Sequence, residues 1–242
     1  MKKLIIAILM MVSGGAAMAQ DFQFHYDFGR NLYGTEESSR ARTTLTYEQF
    51  KADRLGSWYW FVDFDLYGDG MKGAYTEISR EFTLGKVASA TSWAAHIEYD
   101  GGMTTSRGSF GSRFQHAALL GAALNGHNAD FSTTWSLQAM YKQYFDGQYA
   151  DAYASMQLTG VWSTTFLAGK CTFSGFCDLW RGRQANGHGQ LVLLAEPQLW
   201  YNIDKHFSIG TEVEVSDNFI YPDIPTDKSF YVNPTLAVKY NF

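Results

Sequence analysis

SWYWFVDFDLYGDG, residues 57–70, carries two chemistries that alternate one residue at a time before the chain turns at its glycines. Trp58, Trp60, Val62, Phe64 and Leu66 share one face, and Tyr59, Phe61, Asp63, Asp65 and Tyr67 share the other. A period of two places successive side chains on opposite sides of a β-strand. In a soluble sheet the polar face looks out on water, but here it mixes aromatics with acids. An apolar face rich in tryptophan, backed by tyrosine and aspartate, suits a strand with lipid outside and a wet lumen inside.

Working outward, the chain opens on Met1-Lys2-Lys3, an apolar run from Leu4 to Val12, and Ala17-Met18-Ala19 before Gln20. The run is too short to span a bilayer, which takes about 20 residues, and reads as a secretory leader cleaved after Ala19. Residues 1–19 are thus expected to be a signal peptide and 20–242 a single barrel domain. The net charge of −5 falls further once Lys2 and Lys3 are lost. That balance argues against nucleic acid and anionic lipid as partners. No later stretch approaches the length of a spanning helix, so a membrane protein of this sequence must be a barrel. Aromatics at 17% and a mean hydropathy of −0.22 are compatible with that, since only alternate residues face lipid.

The same alternation recurs along the chain. Strands are expected over 22–28, 40–51, 57–70, 74–84, 90–100, 113–124, 131–144, 152–166, 171–181, 190–201, 206–217 and 230–242. Residues 113–124 are ambiguous between strand and short helix, and Pro197 requires an irregularity in its strand. The connectors 29–39, 68–73, 101–112, 146–151, 182–189 and 218–229 are mostly longer than those between them, as when loops lie outside the cell and turns lie in the periplasm; 125–130 is an exception. The expectation is an all-β fold: an antiparallel transmembrane β-barrel of about twelve strands in the bacterial outer membrane.

Residues 45–69, LTYEQFKADRLGSWYWFVDFDLYGD, resemble the nucleoside-specific channel-forming (Tsx-like) outer-membrane porins, where a Tyr/Phe-x-x-Phe strand, a turn and an aromatic-Phe-Val-Asp-Phe strand follow one another. Ala195-Glu196-Pro197-Gln198-Leu199, Glu212-Val213-Glu214-Val215-Ser216 and the terminal Phe242 look similar too. The whole mature chain is similar to a Bacteroidetes branch of that group, DUF5020. The resemblance implies a twelve-stranded barrel with a narrow nucleoside channel and no enzyme activity or cofactor. It is expected to sit in outer-membrane lipid as a monomer, inserted by the barrel assembly machinery through the strand ending at Phe242.

Strand parity sends His25, Asp27, Glu48, Tyr59, Phe61, Asp63, Asp65, His96, Glu98, Glu196, Gln198, Glu212, Glu214 and Asn233 into the lumen. Aromatic faces stack on nucleobases, and carboxylates and amides bond to ribose hydroxyls and base edges. Excess carboxylate disfavours phosphorylated solutes, which points to nucleosides over nucleotides. The alternative is that these groups fill a narrow barrel, with the acids paired to Arg80, Lys142 or Lys239.

Other chemistries are weaker. His206-Phe207-Ser208 is similar to the His-x-Ser of outer-membrane lipid A deacylases, the enzymatic alternative, but Ile209 stands where those enzymes place Asn. No loop has the Asp/Asn spacing of a known calcium site. Cys171 and Cys177 would be about 20 Å apart on one strand and could pair only across a turn near Ser174-Gly175; two small residues on one strand face is the favoured reading.

Overall fold

The computed structural model describes residues 18–67, 70–105, 111–147, 150–184 and 187–242. In chain order the strands are β1 (Met18–Asp27), β2 (Thr43–Asp53), β3 (Gly56–Tyr67), β4 (Gly70–Ala88), β5 (Thr91–Thr105) and β6 (Gly111–Arg113 continuing as Ala117–His127). They are followed by β7 (Thr133–Tyr144), β8 (Tyr153–Phe166), β9 (Cys171–Arg183), β10 (Gly189–Ala195 continuing as Gln198–Asn202), β11 (Phe207–Asp217) and β12 (Phe230–Asn241). Each pairs antiparallel with its neighbours in sequence, and β12 pairs with β1 from Asp21↔Asn241 to Asp27↔Thr235. The result is a closed twelve-stranded barrel with no free edge, so every strand ladder is satisfied inside the sheet.

Register carries the alternation of residues 57–70 around the wall. Asp63 lies opposite Thr46 on β2 and Tyr75 on β4, while Trp60 lies opposite Gln49 and Ile78. A slip of one residue would exchange the two faces. On the outer face Phe22, Phe24, Ile97, Leu120, Met156, Leu158, Leu191 and Leu236 are exposed, as lipid contact requires. Near the chain termini this face carries an aromatic girdle. Phe22 meets Tyr47 and Phe242 with ring centroids 4.5 and 5.4 Å apart, and Tyr47 meets Trp60 at 5.2 Å. Arg80, opposite Trp58 and so on this outer face, is 3% exposed, stacks on Trp58 and Phe82, and donates to Asp53 Oδ1 at 2.9 Å. It is therefore not a partner of lumen acids.

Several boundaries differ from expectation for local reasons. Residues 113–124 belong to a strand, β6, paired on both sides. The stretch 101–112 is not a loop throughout: β5 continues to Thr105 and Gly111–Arg113 returns beside it, with 106–110 outside the described residues. Gly102 faces inward there, and the room its missing side chain leaves is filled by the Phe114 ring. Residues 29–39 fold into a short helix α1 (Gly29–Tyr33) and a 3-10 turn (Gly34–Glu37). β10 is irregular at Glu196-Pro197, where the Glu196 N–H still donates to the Phe176 carbonyl and the Pro197 carbonyl accepts from the Val213 N–H, each at 3.0 Å, and the register is unbroken from Cys177↔Ala195 to Ser174↔Gln198. Proline supplies no ladder donor. Opposite it Gly175 has φ +149°, and a side chain there would overlap the Glu196 carbonyl.

The expected leader falls outside the described residues except for Met18 and Ala19, which pair with Lys51 and Phe50. Residues 68–69, 148–149 and 185–186 of the expected connectors are outside them as well. At the turn after β10, Asp204 Oδ1 accepts from the N–H groups of His206 and Phe207 at 2.7 and 2.8 Å, which holds its carboxyl below the ordinary 3.8. Cys171 and Cys177 are both free, on one strand, β9, with the same parity.

Candidate functional site: the barrel lumen

All the residues assigned to the lumen from strand parity lie on the inward face. They fall into three groups.

The flank formed by β11, β12 and β1 is packed. Gln23, His25, Asp27, Tyr231, Asn233, Thr235 and Ala237 are all buried. His25 Nδ1 lies 3.2 Å from Thr235 Oγ1 and 3.8 Å from Glu212 Oε1, its Nε2 3.1 Å from Gln23 Oε1, and its ring is edge-on to Trp200. Gln198 Nε2 donates to Glu212 Oε2 at 2.6 Å, and the Lys239 ammonium stacks 4.2 Å from the Trp200 ring. The helix-bearing loop closes over this flank. From it, Arg40 Nη2 reaches Asp27 Oδ2 at 2.9 Å and Glu214 Oε2 at 3.0 Å. Burial opposes the charge of Arg40, but Glu214 and Asp27 overcome that and raise its pKa. Glu37 of the same loop accepts from Asn233 Nδ2 at 3.0 Å, and burial raises its carboxyl above the ordinary 4.5.

The second group lines β2, β3 and β4 and is half-buried throughout. Tyr59 Oη donates to Glu48 Oε2 at 2.9 Å, Thr44 Oγ1 to Asp65 Oδ1 at 3.2 Å, Thr46 Oγ1 to Asp63 Oδ1, and Tyr75 Oη to Glu77 Oε1 at 2.9 Å. Between these polar pairs four rings climb the wall. Tyr59 to Phe61, Phe61 to Tyr75 and Tyr75 to Phe114 are 6.1, 6.0 and 5.9 Å between centroids. Glu196 and Glu212, half-buried on β10 and β11, lie within electrostatic reach of Asp63. A flat solute on this wall meets ring faces on one side and hydrogen-bond acceptors on several others.

The third group spans β4 to β9. His96 sits between Glu81 and Glu98 at 3.3 and 3.2 Å. Lys142 reaches from β7 across β6 to Asp100 Oδ2 at 2.8 Å, passing the small Ala117, and donates to Gln157 Oε1 at 2.8 Å. Parity assignment stopped short of Tyr75, Glu77, Glu81, Lys142 and Asp178 as site residues. On β4 a register shift between Asp65 and Leu66 brings Glu77, not Thr76, opposite Phe61, and that shift is not visible in the sequence pattern. Lys142, expected as a partner of lumen acids, does pair with one, Asp100 two strands away, across the small Ala117 on the strand between them.

His206 and Ser208 do not form a catalytic pair in this geometry. Ser208 Oγ donates to Asn202 Oδ1 at 2.9 Å, while His206 Nδ1 lies 2.8 Å from the Asn241 carbonyl.

Solved structures with this architecture include a NanC porin, with a TM-score of 0.57 at 11% identity, and a KdgM porin, with 0.51 at 15%; each alignment covers 93% of this chain and 99% of the other. Outer membrane phospholipase A from Escherichia coli is also similar, with a TM-score of 0.48 at 12% identity over 97% of this chain and 96% of that one. At such identities the likeness to the two porins shows the fold, a barrel of the outer-membrane porin type, and leaves activity open. No curated protein matches the chain. Residues 19–242 match the family described as Domain of unknown function (DUF5020), and the chain belongs to that family.

Proposed function

We propose that this barrel is an outer-membrane channel for small polar solutes with a flat apolar face, nucleosides being the best-fitting class, and that it prefers neutral or cationic solutes to phosphorylated ones. The observation that carries this reading is the four-ring ladder Tyr59, Phe61, Tyr75 and Phe114, half-exposed and flanked by Asp63, Asp65 and Glu77. Each ring that stacks on a base contributes about 1–3 kcal/mol. The acids accept from ribose hydroxyls and repel phosphate. Among the described residues the inward lysines Lys142 and Lys239 are outnumbered by carboxylates, which supports cation preference.

The chain reaches the membrane by a leader ending at Ala19 and inserts as a monomer through its last strand, whose Phe242 joins the outer aromatic girdle. The test is swelling of liposomes carrying the purified barrel. Adenosine and uridine should enter faster than the corresponding monophosphates. Equal rates for both, or no swelling, would overturn the proposal.

A further inference from the structure

The geometry points to a site for one hard divalent cation, Ca2+, on the inner wall between Glu77, Glu98 and Asp100. Register makes Glu77 on β4 and Asp100 on β5 direct partners, and Glu98 stands two residues before Asp100 on the same face. One carboxylate oxygen from each of the three lies within 4.8 Å of the others. Among the described residues this is the one place where three such groups converge. Each carboxylate commits one oxygen to a neighbour: Glu77 Oε1 to Tyr75 Oη, Glu98 Oε2 to His96 Nε2 and Asp100 Oδ2 to Lys142 Nζ.

The independent sign of a ligand is Asp100. It is 4% exposed, and its Oδ1 is enclosed without a hydrogen-bond partner. An enclosed carboxylate oxygen with no donor is costly unless a cation or proton meets it. The three carboxylates outnumber the Lys142 ammonium beside them, so the cluster favours a further cation.

The donor set selects the ion. All three donors are carboxylate oxygens, whereas zinc sites draw on nitrogen or sulfur. Mg2+ keeps most of its waters and is held by one or two carboxylates in strict octahedral geometry, whereas Ca2+ accepts several carboxylates in a flexible shell, so three converging carboxylates favour Ca2+. Three carboxylates on a sheet supply part of a Ca2+ shell, and lumen water completes it.

The site does not depend on whether the lumen conducts, so it is tested by equilibrium binding. The chelator-treated, folded barrel in a nonionic detergent is titrated with CaCl2 by calorimetry and with Tb3+ by luminescence. The expected result is one saturable site where Ca2+ displaces Tb3+ and Mg2+ competes at least about tenfold more weakly. Glu77→Gln with Glu98→Gln should weaken Ca2+ at least about tenfold, while Asp227→Asn, in the loop before β12, should bind as wild type. Heat-modifiable gel migration confirms that each variant is folded. If the double variant does not fold, Glu77→Gln alone decides, with a loss of at least about threefold. No saturable binding by the wild type, or wild-type affinity in the folded variants, would overturn the inference.

Discussion

The two sides of strand β1 are built to different ends. Toward β12 and β11, inward side chains are buried and partnered: Arg40 ties down two carboxylates, Asn233 is fully buried against Glu37, and Trp200 lies under Lys239. Toward β2, β3 and β4, Glu48, Asp63, Asp65 and Glu77 are half-exposed and each accepts from a hydroxyl, and the rings between them are half-exposed as well. The same alternating pattern writes both walls. What separates them is the loop after β1, which folds back over one flank and touches the other at Tyr67, whose hydroxyl donates to the Ser39 carbonyl and whose ring lies under Arg30. A narrow barrel can thus be filled for stability on one side and kept polar and accessible on the other.

The sharpest way to break this contrast is to remove the cation that holds the packed flank. Arg40→Ala leaves Asp27 and Glu214 buried without a counterion, and should cost about 3 kcal/mol, read as a lower temperature for loss of heat-modifiable migration. If the melting temperature is unchanged, the flank is not held by this pair. On the accessible wall the expected signature is functional: Phe61→Ala should leave stability near wild type but weaken nucleoside interaction about tenfold, measured by block of channel current. A smaller effect is expected from Asp63→Asn with Asp65→Asn, which should lower the cation over anion permeability ratio roughly twofold, seen in the reversal potential under a salt gradient.

The fourth prediction concerns pH and the loop. Burial raises the Glu37 carboxyl above 4.5, so the folded loop binds its proton more tightly than the unfolded chain does. Glu37's contribution is therefore full below the unfolded value and is lost as pH rises through the raised folded one. Its protonated oxygen is suited to donate to Asn233 Oδ1, which otherwise has no partner. Amide exchange in residues 29–40 should quicken modestly, beyond the intrinsic rate change, between pH 5 and pH 8. Glu37→Gln should remove that dependence, and an unaltered pH response in the variant would break the link.

Much of this was legible in the sequence because a strand's period of two holds along the central part of each wall, the register shifting at bulges toward the ends of β4. Parity from Trp58 and Trp60 alone put Tyr59, Phe61, Asp63 and Asp65 on the inner face, where register holds them. Even Pro197 costs only its own ladder donor, so Glu196 and Gln198 keep the inward parity read from the sequence. What escaped was everything set by contacts across strands. Arg80 reads as a lumen counterion, yet it turns outward because its register partner is Trp58 and Asp53 lies within reach. The loop helix was hidden among polar residues with no apolar period, and the convergence of Glu77 with Asp100 exists only once β4 and β5 are paired.

The central claim is that the wall carrying Tyr59, Phe61 and Tyr75 is a working passage. Single-channel recording in planar bilayers, with adenosine added in steps, tests it most directly. The account predicts cation-preferring current that falls saturably with adenosine and recovers in Phe61→Ala at the same adenosine concentration. A barrel that folds and inserts yet passes no current, or whose current ignores adenosine, would contradict it.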